Sequence, residues 1–62
     1  MKVTVVNTLA PYQSQTVSDV YGMTHLIEDQ KMLVFQQMVT ESGEETIVEH
    51  QFPDKYLFMI ET

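Results

Sequence analysis

The sequence predicts a mainly β protein, a small antiparallel meander of about five strands forming a curled sheet or a small barrel. Three observations support this fold class. Met32 to Val39 and Tyr56 to Ile60 carry no charge and are apolar on both alternating faces. Turn-forming residues recur at short intervals, at Pro11, at Glu28-Asp29-Gln30-Lys31, around Gly43 and at Pro53-Asp54. The segments between them are rich in β-branched and aromatic residues, which fit a pleated surface. The rival is an α+β arrangement with a helix across Ser18 to Glu28. With 62 residues there is room for one domain, residues 1–62, and a chain of that size buries only about 60% of its unfolded surface.

Lys2 to Thr8 reads as the first strand, with Val3 and Val5 alternating against Thr4 and Val6. Ala10 to Thr16 reads as the longest loop, because Pro11 lacks an amide hydrogen and the polar residues after it show no periodicity. Loops carry function more often than cores do, so Tyr12 is a candidate for partner contact, against the plainer reading that its ring packs over the sheet edge.

Val17 to Glu28 supports two readings. Ser18 followed by Val20, Met23, Leu26 and Ile27 fits an N-capped amphipathic helix. A strand from about Val20 is preferred, because Gly22 would be costly in the middle of so short a helix. Glu28 to Lys31 then turns the chain, and a two-residue Asp29-Gln30 loop sets Glu28 opposite Lys31, Ile27 opposite Met32 and Leu26 opposite Leu33. Met32 to Val39 follows as the central strand, covered on both faces. Its Gln36-Gln37 step puts one amide on each face, so one of them should lie near solvent, near a histidine or at a subunit interface.

Thr40 to Glu45 holds the strongest turn signal. A strict Ser42-Gly43 turn opposes Glu41 and Glu44, and a three-residue loop with Gly43 in the left-handed conformation serves equally well. Thr46 to Phe52 alternates Ile47, Glu49 and Gln51 against Val48, His50 and Phe52, a half-exposed strand. Pro53-Asp54-Lys55 turns the chain into the last strand, Tyr56 to Ile60, whose pairing with the central run would hide much apolar surface.

Nine acids against three lysines and no arginine give a formal charge of −6. A general attraction to phosphate backbones is missing, so direct nucleic-acid binding is not expected. No apolar run approaches a membrane span and the N-terminus lacks a signal-peptide core, so a complete, cytoplasmic chain without membrane contact is expected. With no cysteine, disulfides and thiolate zinc sites are excluded, and oligomerisation is the compensation left open to a small core. An open sheet with one wet apolar face would be covered by a second copy, so a homodimer is expected.

Candidate chemistry is sparse. His25 and His50 are weak candidates for a metal pair, since the H-x-x-x-H spacing is absent. Neighbouring carboxylates in turns point to solvent, and with two glycines there is no phosphate-cradling loop. No cofactor and no enzymatic activity are expected. The densest negative patch is Glu41, Glu44, Glu45 and Glu49. The residues thus suggest a non-enzymatic protein-interaction module, of the size and acidity of the accessory proteins of phages and mobile elements, with a partner that presents a basic surface. The alternative is an acidic mimic of nucleic acid that inhibits a host DNA- or RNA-binding protein; a small metal-dependent enzyme ranks third.

Overall fold

The computed structural model describes residues 1–62. Regular structure consists of β1 (Lys2–Val6), β2 (Gln15–Val17), β3 (Val20–Leu26), β4 (Lys31–Val39), β5 (Glu45–Pro53) and β6 (Leu57–Glu61), with one 3-10 turn at Pro11–Gln13. These form two three-stranded antiparallel sheets, ordered β2-β1-β6 and β3-β4-β5. The protein is therefore mainly β, as the sequence predicts, but it is two small sheets and not a closed barrel.

The strand missing from the sequence-based expectation is β2, whose Gln15 and Thr16 fall in the segment read as loop and whose Val17 opens the segment read as strand or helix. Only Val17 of its three residues is buried, and one inward side chain leaves no periodicity to read. Before β2 the loop organises itself: the Asn7 side-chain oxygen accepts from the amides of Leu9 (3.0 Å) and Ala10 (3.1 Å), an Asx-type turn leading into Pro11.

β2 and β3 are nearly one strand, bent at Ser18-Asp19, where Asp19 takes φ 53. Asp adopts this left-handed region more readily than most residues. The bend moves the chain from one sheet to the other, a common way of making the corner of a small sandwich. Two backbone bonds pin it, from Val20 N to Met1 O (2.7 Å) and from Gln37 N to Asp19 O (2.9 Å).

The helix across Ser18 to Glu28 does not form, and β3 explains its apparent signal. Val20 opposes Gln36 while Gly22 opposes Phe35, so Tyr21 is the extra residue of a β-bulge. A bulge adds one residue to one strand. It therefore places Val20 and Met23 on the same face at a spacing of three, where a regular strand would use two or four. The Val20–Met23 step of the helix-like period is a strand period with one insertion, whereas Leu26, opposite Lys31, lies on the other face.

The β3–β4 turn also differs from the two-residue loop. Leu26 opposes Lys31 and His25 opposes Met32, so the loop has four residues, Ile27 to Gln30, closed by Gln30 N to Ile27 O at 3.2 Å. A two-residue primed turn needs positive φ at its first central position, here Asp29, and in type I′ at both. Only Gln30 takes one, at 55°. The β4–β5 turn adopts the three-residue alternative: Gly43 has φ 86, Thr40 N donates to Glu44 O at 2.8 Å and Gly43 N to Thr40 O at 2.9 Å.

β4 is central in its sheet, paired with β3 on one side and β5 on the other. The last strand does not join it. β6 crosses to the other sheet and pairs with β1, from Lys2 opposite Glu61 to Val6 opposite Leu57. The core lies between the sheets and consists of five valines, Val3, Val5, Val17, Val20 and Val34, with Met23, Met32, Phe52, Tyr56 and Phe58 packed around them. Full burial of such a side chain is worth about 1.5–3 kcal/mol relative to exposure. β4 is thus covered on the Val34 face alone, and the expectation of cover on both faces fails.

Candidate functional site

Side chains opposite one another in an antiparallel pair share a face, so the register assigns each one. On the face toward the core, β4 contributes Met32, Val34 and Gln36, opposite Phe52, His50 and Val48 of β5. The outer face carries Leu33, Phe35, Gln37 and Val39 of β4, Glu45, Ile47, Glu49 and Gln51 of β5, and Gly22, Thr24 and Leu26 of β3. No element packs on it. Val39 is 66% and Ile47 49% exposed, while Leu26, Leu33 and Phe35 are half-buried by one another and by their neighbours. Gly22 stands opposite Phe35, and a Cβ added there would meet nothing within 4 Å. The face therefore has a notch beside the phenylalanine.

The four glutamates of the acidic patch are all exposed. Glu41 and Glu44 sit in and beside the Gly43 loop, whose fold is reinforced by the Thr40 hydroxyl, the acceptor for Glu44 N at 3.1 Å. Glu45 and Glu49 lie on the outer face, opposite Val39 and Phe35. Four residues of strand separate them, about 13 Å at 3.3 Å per residue, with Ile47 between. Gln51 donates from Nε2 to the Glu49 carboxylate at 2.9 Å. Lys2 pairs with Glu61 at 3.2 Å and the His25 ring bonds Asp54 at 3.0 Å, so none of these four acids has a cationic partner. Tyr12 is 86% exposed in the 3-10 turn.

The two histidines have separate partners. His50 Nε2 donates to Gln36 Oε1 at 2.9 Å, which places the inner amide of the Gln36-Gln37 step beside a histidine. His25 Nε2 donates to Asp54 at 3.0 Å and, with Asp54 N bonded to Gln30 O at 3.0 Å, ties β3 and its turn to the β5–β6 turn. No three His, Cys, Asp or Glu side chains converge where an ion could be held, and His25 and His50 each bond a partner of their own. Beside the two turns an open groove of about 450 Å³ is lined by Asp29, Gln30, Lys31, Gln51, Phe52, Pro53, Asp54 and Lys55.

The residues that sequence reasoning missed are Leu26, Leu33, Phe35 and Ile47 as a surface. Their common face was legible from the alternation, but not whether a second layer covers it. No protein-family model matches this chain, and no curated protein and no solved structure matches it.

Proposed function

We propose that this protein is a non-enzymatic protein-interaction module that self-associates and docks a protein partner on the outer face of the β3-β4-β5 sheet. One observation carries this reading. A sheet face with Leu26, Leu33, Phe35, Val39 and Ile47 side by side is left without an intramolecular cover, in a chain with only five buried residues. Contiguous exposed apolar area of this kind is typical of interaction sites. The carboxylates of Glu41, Glu44, Glu45 and Glu49 frame it without cationic partners. A partner with an apolar centre and a basic rim meets both features, and unpaired rim charges act mainly on the rate of encounter.

Mimicry of nucleic acid is the weaker reading. A mimic needs closely spaced charge, and here Ile47 and about 13 Å of strand lie between Glu45 and Glu49. The two are separated by comparing wild type with Phe35→Asp/Ile47→Asp and with the quadruple Glu→Gln variant at positions 41, 44, 45 and 49, in capture of partners from cell extract. Docking through the apolar face predicts that the aspartates abolish the captured band while the glutamines slow capture only. Loss with the glutamines and retention with the aspartates refutes it in favour of mimicry.

A further inference from the structure

Each sheet has two free edges, formed by β2, β6, β3 and β5. An edge strand presents unpaired amides and carbonyls that invite another chain, and proteins guard such edges by shortness, bulges, charge or proline. β2 has three residues. β3 carries the Tyr21 bulge. β5 carries Glu45 and Glu49 and ends at Pro53. β6 has none of these guards along Leu57-Phe58-Met59-Ile60, and its one charge, Glu61, is held by Lys2 at 3.2 Å. Its side chains are uncovered as well. Leu57 is 55%, Met59 54% and Ile60 54% exposed. Ile60 is the telling residue, because it opposes Val3, which is fully buried. The core face of the first sheet therefore runs out from under the second sheet at β6.

We propose that β6 pairs antiparallel with β6 of a second copy about a two-fold axis at Met59, giving a continuous six-stranded sheet. This rests on the self-association stated above and names its site. Met59 is the midpoint of Leu57–Glu61, so centring there uses the whole strand. Met59 then opposes Met59, Phe58 opposes Ile60 and Leu57 opposes Glu61 of the copy. No like charges meet, whereas a β5 pair centred on its midpoint would set Glu49 against Glu49. The two-fold closes the assembly, since each copy's unguarded edge is used once. It also covers both Ile60 side chains, which come to lie in one cleft between the two flanking sheets. A five-residue ladder is a small interface, at the weak end of the specific class, so the dimer is reversible, with a dissociation constant in the micromolar range.

Directly opposed residues in an antiparallel pair have Cα atoms about 4.5–5.5 Å apart, within reach of a disulfide. The natural chain has no cysteine, so Met59→Cys in the full chain introduces the only thiol. Under an added oxidant it should give a covalent dimer, twice the 7.2 kDa chain, that reducing agent reverses. Ile47→Cys, on the other sheet, should give no covalent dimer under the same oxidant. Met59→Lys sets two cations at the axis and should sediment as a monomer at every concentration while keeping the wild-type circular dichroism spectrum. Wild type that remains monomeric up to roughly 1 mM, beyond the micromolar range expected, overturns self-association altogether. A wild-type dimer that Met59→Lys leaves intact, or in which Met59→Cys does not cross-link, overturns the β6 site alone.

Discussion

Val34 and Val39 lie on the same strand and offer the same chemical change on truncation to alanine, but the structure gives them opposite surroundings. Val34 is fully buried at the centre of the five-valine core, and Val39 is 66% exposed near the hairpin end. Removing two buried methyl groups at Val34 forfeits about 1.6 kcal/mol of transfer free energy at about 0.8 per group. The residual cavity adds roughly 1 kcal/mol, for a total near 2.5. At Val39 about a third of the side chain is out of water, so the transfer loss is about 0.5 kcal/mol with no cavity. The lower β propensity of alanine affects both variants and largely cancels in the comparison. A chain of this length has roughly 3–9 kcal/mol of stability in all. Val34→Ala thus removes a large share of it, and at about 4–8 °C per kcal/mol should lower the melting temperature by about 10–20 °C. Val39→Ala should lower it by about 2–4 °C. Thermal melts followed by circular dichroism at one fixed protein concentration decide the matter, the concentration being fixed because association itself shifts melting. Equal shifts would mean that β4 is covered on both faces and would refute the two-sheet core.

Gly43→Ala should cost about 1 kcal/mol, seen as a melting point about 4–8 °C lower, because the φ of 86° that the three-residue loop needs is unfavourable with a Cβ. Gly22→Ala, with open space around its Cβ and no positive φ, should leave stability unchanged or raise it slightly, and a loss as large as that at Gly43 would contradict the bulge geometry. The Gln36–His50 hydrogen bond is part-buried. A urea-denaturation double-mutant cycle with Gln36→Ala and His50→Ala should return a coupling of about 0.5–1.5 kcal/mol, and additivity would show that the two side chains do not support one another.

How far the sequence could be read depended on how local the determining interactions are. The five strands of five or more residues were legible, as was the central place of 32–39 between two hairpin neighbours. So was the glycine loop, whose two alternatives differ only in where positive φ falls. The 27–30 loop was misjudged because cross-strand agreement of Glu28 with Lys31 and Ile27 with Met32 is a weaker constraint than the positive φ a two-residue turn demands of Asp29. β2 gave no signal, since three residues with one buried valine have no period. The acidic cluster was legible as composition along one hairpin, but its two strand members proved to be the rim of an apolar face.

The sequence by itself determined an antiparallel β chain, its five longer strands and where the chain turns between them, because alternation and turn chemistry act between residues close along the chain. Only the tertiary structure decided the partners of the first and last strands, β1 and β6, whose pairing joins residues more than fifty apart. It also decided which face of β4 is dry. Leu33 and Phe35 are as apolar as Met32 and Val34, and the difference between a core and an uncovered face is where the second sheet comes to rest. That position follows from a bend at Asp19 and an extra residue at Tyr21, two local irregularities that redirect the chain and leave its alternating pattern almost unchanged.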